Sequence, residues 1–191
     1  MFLKNSITHF LILICVLSCQ PIEIIKPIQI DNARLEKISI NASEIKINNK
    51  YDPIFSEKNI EDQILISPIN VIQNWMTENI INNGNYNKLI VNIIDASITK
   101  EEIENLNAKN FEEKTVFHYE VSYLVEYELY DNSNYLLANS TVETLRSTTS
   151  KKLISLNETE VIINNLLNDS IRDFSIETKS ILKKYMGEYL N

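Results

Sequence analysis

Residues 117–129 read Phe-His-Tyr-Glu-Val-Ser-Tyr-Leu-Val-Glu-Tyr-Glu-Leu, and their alternation decides the fold. Phe117, Tyr119, Val121, Tyr123, Val125, Tyr127 and Leu129 fall on one parity. His118, Glu120, Ser122, Leu124, Glu126 and Glu128 fall on the other. A period of two sustained over this length predicts a β-strand with one face in a core and one in water, because a helix would scatter the same residues round its axis. Asp131-Asn132-Ser133-Asn134 is a turn by composition. A four-residue loop there would set Leu129 opposite Leu136, Tyr127 opposite Ala138, Val125 opposite Ser140 and Tyr123 opposite Val142, large side chains meeting small or apolar ones. The partner strand fades into Ser/Thr-rich sequence near Ser150. The hairpin is expected to form the sheet's central ladder.

Helical periods flank this hairpin. Ser67-Pro68 is a helix start, a capping residue followed by proline at the first helical position. Ile69, Ile72, Trp75, Met76 and Ile80 mark its apolar stripe, and Asn83-Gly84 is the expected end. A second, longer stripe runs Ile163, Leu167, Ile171, Phe174, Thr178, Ile181, Tyr185, with a capping-box-like start at Asn157 and Glu160. Ile38/Ile40 and Ile45/Ile47 alternate with a change of parity at Ser43-Glu44, as one bulged strand or two short ones. Leu89 to Ile98 changes parity at Ile93-Ile94, a strand with a bulge, and the acidic stretch from Glu101 to Glu113 reads as a solvated connector. Tyr51 to Ser67 has no clear period. The order β(β)-α-β-β-β-α predicts an α+β fold: two helices packed on one face of a mostly antiparallel sheet of about four strands, with the glutamate face in water.

The N-terminus carries a different message. Lys4 precedes an unbroken apolar run, Phe10 to Leu17, which is far short of the ~20 residues needed to span a bilayer. Ser18 then stands directly before Cys19, and Gln20-Pro21 stops the run. Val16-Leu17-Ser18-Cys19 resembles the lipobox of bacterial lipoproteins, in which cleavage falls between the last two residues and the cysteine is acylated. Leu17 is bulkier than is usual at its position. The resemblance implies a signal peptide over residues 1–18, a lipidated tether over 19–34 and a single α+β domain over 35–191. More than one acyl chain then anchors the protein, where one alone would be marginal.

Composition excludes several chemistries. The chain has two cysteines, two histidines and two glycines. Cys15 and His9 lie in the segment expected to be removed, which leaves Cys19 for acylation and no thiol for a disulfide or a thiolate site. A Ser-His-Asp system would rest wholly on His118. With Gly84 and Gly187 alone, no dinucleotide-binding or phosphate-binding glycine loop can be written. The net charge of −8 with no Lys/Arg run in the sequence speaks against nucleic acid and against an anionic membrane surface, which leaves the acyl group as the membrane contact.

The candidate residues each have a plainer reading. His118 lies near Glu120 but on a polar strand face, where a solvated histidine is the simpler account. Glu120, Glu126 and Glu128 share that face and could hold a divalent cation, yet no calcium-type loop accompanies them. Trp75 could anchor a partner, although within a helix stripe it belongs to a core. Asp95-Ala96-Ser97 beside the bulge could shape the bend or form a site. No residue is assigned a catalytic or metal-binding role, and no cofactor is expected.

Tyr51-Asp52-Pro53, Pro68 with Trp75 seven residues on, Ile94-Asp95-Ala96-Ser97, the tyrosine-rich strand and the long last helix together resemble an uncharacterised alphaproteobacterial envelope lipoprotein family. In layout that family is similar to the LPS-assembly lipoproteins and to the auxiliary lipoproteins of ABC-type lipid transporters. An Arg-Leu pair usual after the tryptophan is replaced here by Met76-Thr77-Glu78-Asn79-Ile80, so any role of that arginine is lost. The resemblance implies the fold and an envelope location, and the excluded chemistries together with that placement predict a lipid-anchored, non-enzymatic accessory that binds an envelope protein partner. Gln20 after the cysteine resembles the sorting pattern for an outer membrane, facing the periplasm. A periplasmic lipid-binding module and an envelope hydrolase are the alternatives.

Overall fold

The computed structural model describes Asn32 and residues 35–191 apart from residues 54, 55 and 107. In chain order the elements are β1 (Ile38–Ile40), β2 (Glu44–Asn49), α1 (Pro68–Asn79), β3 (Ile80–Asn82), β4 (Lys88–Glu104), β5 (Thr115–Tyr130), β6 (Leu136–Ser150) and α2 (Leu156–Tyr185), with 3-10 turns at Glu61–Gln63 and Gly187–Tyr189. β2, β4, β5 and β6 form one sheet in that spatial order. β2 runs parallel to β4, and the β4–β5 and β5–β6 pairs are antiparallel. β1 and β3 make a separate parallel pair. The fold is α+β, a mostly antiparallel four-stranded sheet with both helices on one face.

β5 follows its alternation closely. Tyr119, Val121, Tyr123, Val125, Tyr127 and Leu129 are buried, while the residues between them are partly exposed. The core face continues onto β4 through Leu89, Val91 and Ile93, and past the bulge between Ile93 and Asp95 through Ala96 and Ile98. The bulge is where the sequence changes parity. It lets one strand of 17 residues keep its apolar side chains on one face.

The hairpin register differs from the expected one by two residues. Val125 faces Val142, Tyr127 faces Ser140 and Leu129 faces Ala138. The connection is longer than four residues: Asp131 Oδ1 accepts from the amides of both Ser133 and Tyr135, Asn134 adopts a φ of 62°, and a bulge follows Leu129. A shift of two keeps every side chain on its expected face. The central ladder is β4–β5, because β4 pairs with β5 along its whole length and leaves β6 as an edge strand. Part of the expected acidic connector, Glu101 to Glu104, is strand for the same reason.

Helix α1 begins as read, with Ser67 at its N-cap and Pro68 in the first turn, although the Ser67 side chain makes no capping bond. Its end differs. The helix stops at Asn79, and Ile80–Asn82 peels away as β3 to pair with Ile38–Ile40. Ile80 suits either fate, being a stripe position and β-branched. Gly84 serves close packing in place of a left-handed cap. A Cβ there would stand 2.8 Å from the Ala42 amide nitrogen, and φ is positive at neither glycine. Helix α2 starts two residues before the expected cap, through a true capping box: the Ser155 side chain accepts from the Glu158 amide, and the Glu158 carboxylate accepts from the Ser155 amide.

The helices close over the tyrosine face. Trp75 of α1 and Tyr123 of β5 both meet the Phe174 ring of α2 edge-on, at centroid distances of 5.4 and 5.5 Å. All three are fully buried. Each large apolar side chain so buried contributes about 1.5–3 kcal/mol relative to exposure. Ile181 and Tyr185, the last two stripe positions of α2, are less enclosed, Tyr185 being exposed.

Candidate functional site

Cys19, Ser18 and the signal segment lie outside the described residues, as does the expected tether except for Asn32. Asn32 is buried and accepts a hydrogen bond from the Leu35 amide, so packing against the domain reaches into the stretch read as tether.

The outward face of the sheet is built from the even residues of β5 and their neighbours in register. At its centre Asn92 of β4 is 1% exposed although it sits on the solvent side. Its amide nitrogen donates to the Glu126 and Glu128 carboxylates, 3.1 Å to each, and its oxygen accepts from Asn48 of β2 at 3.0 Å. One asparagine thereby holds two glutamates of β5 together and ties three strands. Glu120 lies apart, opposite Thr99 and Ser147, six residues or about 20 Å along the strand from Glu126. The three glutamates therefore form a pair and a singleton. Among the described residues no group of three or more His, Cys, Asp or Glu is arranged to hold a metal ion.

His118 stands opposite Glu101 and Thr149. Glu101 itself is committed elsewhere: its hydrogen bond from Lys58 holds its carboxyl below the usual range. No hydrogen bond of His118 is found among the described residues, so neither an orienting acid nor a nucleophile is placed on its ring. Trp75 is core, and its buried indole N–H finds no hydrogen-bond partner among the described residues. The Ser97 hydroxyl donates to Asp95 just past the bulge at 3.2 Å, a polar contact beside the bend.

A second polar cluster lies where the segment before α1 runs alongside β4. The Tyr51 hydroxyl donates to Glu61, and Asn59 donates to the same carboxylate at 3.1 Å. Burial, followed by the Glu61 contact, pushes the Tyr51 phenol well above its ordinary value. Beside this strap is a groove of about 340 Å³ lined by Pro53, Asn59, Glu61, Asp62, Ser67 and Ile69, among others. Asn59 bridges to Thr99 and Lys100 donates to the Lys58 carbonyl. These contacts hold the strap to β4.

No protein-family model and no curated protein matches the chain. Solved structures do resemble it in layout. A minor lipoprotein from Acinetobacter baumannii is similar over 76% of this chain and 96% of its own length, at 11% identity and a TM-score of 0.41. Rare lipoprotein B from Shewanella oneidensis is similar over 72% of this chain and 94% of its own length, at 10% identity and a TM-score of 0.37.

Sequence reasoning passed over Asn92, because a single asparagine amid Val and Ile carries no motif. Its only signal was being polar on the parity that Glu126 and Glu128 share across the ladder. The interior also holds more polar atoms than the stripes suggest. The Tyr123 and Tyr127 hydroxyls approach Ser170 and Thr178 of α2 without completing hydrogen bonds. Burial raises both phenols well above the ordinary tyrosine value.

Proposed function

We propose that this chain is a lipid-anchored accessory protein of the bacterial envelope that works by binding a protein partner and has no turnover of its own. The N-terminal sequence carries the reading: an apolar run from Phe10 to Leu17 that ends in Ser18-Cys19. On this reading residues 1–18 are removed, Cys19 is acylated, and residues 35–191 stand as one α+β domain on the periplasmic side of the outer membrane.

Three observations support a binding role. Among the described residues no hydrogen bond joins His118 to an acid or a nucleophile, and Glu126 and Glu128 are taken up by Asn92. Among the described residues no helix is long and apolar enough to cross a membrane. The space between helices and sheet is filled by Trp75, Phe174, Tyr123 and Tyr127, which favours partner binding over carriage of a lipid in the interior.

Cells fed a labelled fatty acid test the anchor. Label should appear on the wild type and be lost in Cys19→Ala. Label retained by that variant contradicts the reading. Screening the purified protein against peptidoglycan, ester and phosphoester substrates tests the rest. Turnover that persists through repurification and vanishes on changing His118 or a Glu/Asp pair would establish an enzyme instead.

A further inference from the structure

The outward face of the sheet carries an apolar patch at its middle. Leu124 of β5 stands between Asp95 of β4 and Glu143 of β6, and two residues further along β6 Leu145 stands opposite Ser122. Leu124 and Leu145 are therefore diagonal neighbours, about 7–8 Å apart. Ile94, the extra residue of the β4 bulge, adjoins Leu124. Leu145 is 60% and Ile94 37% exposed, and Leu124 is partly exposed. Both helices pack on the other face. An apolar patch shared by three neighbouring strands and rimmed by charge differs from scattered surface leucines, and it has the anatomy of a protein contact.

Carboxylates surround the patch. The outward positions of β5 and β6 hold Glu120, Glu126, Glu128 and Glu143 and neither lysine nor arginine. Arg146 turns the other way, to Asp169 and Asp173 of α2. His118 lies beyond Glu120, away from the patch. The lysines of this face keep to its β2 side, where Lys58 is paired with Glu101 and Lys88 with Glu44. Lys46 and Lys50 remain there, too few to neutralise Asp95 together with the four glutamates. The face is negative, as is the whole chain at −8. Glu126 and Glu143 are diagonal neighbours, and Glu126 and Glu128 are about 7 Å apart along one strand. Like charges this close oppose folding, and a cationic partner would relieve the repulsion.

We propose that this face docks a basic amphipathic segment of a protein partner, with apolar side chains seated on Ile94, Leu124 and Leu145 and lysine or arginine set over the ring of acids. The proposal rests on the partner-binding reading and adds to it the surface and the chemistry of the partner. Arginine suits the ring best, because its planar fork matches a carboxylate with two hydrogen bonds. Charge disfavours the other occupants. A second copy of this chain would bring the same acids against Glu126 and Glu143, and an anionic lipid surface or a nucleic acid would be repelled as a whole. Apolar burial at the centre supplies the affinity, and the acids supply orientation and choice of partner.

The test places a photocrosslinker in the patch. p-Benzoylphenylalanine replaces Leu145 of the full chain in the cells that make it, and the control position is Ile176, 63% exposed on α2. After irradiation the adduct is digested and the crosslinked partner peptide is sequenced by mass spectrometry. The expected result is a protein adduct at 145 and not at 176, joined to a peptide whose apolar residues are flanked by lysine or arginine. Glu120→Lys with Glu143→Lys should cut the yield at 145 by about tenfold or more, and Glu120→Gln with Glu143→Gln should cut it by less. Neither glutamate makes a hydrogen bond or ion pair among the described residues, so thermal melts of these variants should match the wild type. A lipid adduct, an adduct to a second copy of this chain, a partner peptide without basic residues, or a yield indifferent to charge reversal would each overturn the proposal. A protein adduct at 176 as strong as at 145 would overturn it and leave the partner-binding reading standing. No protein adduct at either position would count against both.

Discussion

The two faces of β5 are made from interleaved residues of one strand, yet they obey different rules. On the inward face Tyr123, Val125 and Tyr127 lie under α1 and α2 and are buried completely. On the outward face Glu126 and Glu128 are half-buried and held in place by Asn92. Position on the inward face is settled by volume, so a charge there has no partner and a lost methyl leaves a hole. Position on the outward face is settled by hydrogen bonds, those of the buried Asn92 to Asn48, Glu126 and Glu128. A surface that contributes little to the fold is the one available for encounter with other molecules.

The sharpest way to break that comparison is to put a charge on the wrong side. Val125→Asp places an unpaired carboxylate in the core at a cost of several kcal/mol, enough to unfold a domain whose whole stability is about 5–15 kcal/mol. Far-UV circular dichroism and loss of a cooperative melt would report it. Phe174→Ala is next. It removes the ring that both Trp75 and Tyr123 contact and should cost about 3–5 kcal/mol in urea unfolding. Gly84→Ala forces a methyl against the backbone at Ala42. A loss of about 1–3 kcal/mol is expected there, although the site is remote from the sheet core.

Smaller effects sharpen the picture at the helix end. Ser155→Ala removes the hydroxyl of the α2 capping box and should cost about 1 kcal/mol. The same box predicts a pH dependence. The Ser155 amide, with its hydroxyl, holds the Glu158 carboxyl below the usual range. The cap's electrostatic contribution is therefore complete above the ordinary glutamate value of about 4.3. It is lost as the pH falls through the lower folded value. Protection from hydrogen exchange at the Glu158 and Thr159 amides, taken relative to the intrinsic rate at each pH, should fall on acidification in the wild type. In Ser155→Ala it should already be low.

Much of this architecture was legible because it is written locally. The alternation of 117–129, the proline after Ser67, the parity change at Ile93-Ile94 and the stripe of α2 each occupy a short window. What was missed depends on distant partners. Ile80 completes a helix stripe equally well as it begins a strand, and only the presence of Ile38–Ile40 alongside decides for the strand. The hairpin slipped by two because Asp131 organises a longer loop than its composition announces. Asn92 gained its role only when β4 and β5 came into register. Of the candidate residues, Trp75 and His118 were placed on the correct faces by period alone. The carboxylates were grouped too generously, since strand distance separates Glu120 from the pair that Asn92 joins.

The division of β5 into a face that holds the fold and a face left free is tested most directly by adjacent conservative variants in one urea titration. Val125→Ala removes two buried carbons and should lower stability by about 2 kcal/mol. Glu126→Gln keeps an acceptor for Asn92 and should change stability by less than about 0.5 kcal/mol. Both should unfold with the wild-type dependence on urea, so that the midpoints alone differ. Midpoints that coincide, or a larger loss at Glu126, would contradict the assignment of faces on which the rest of the account depends.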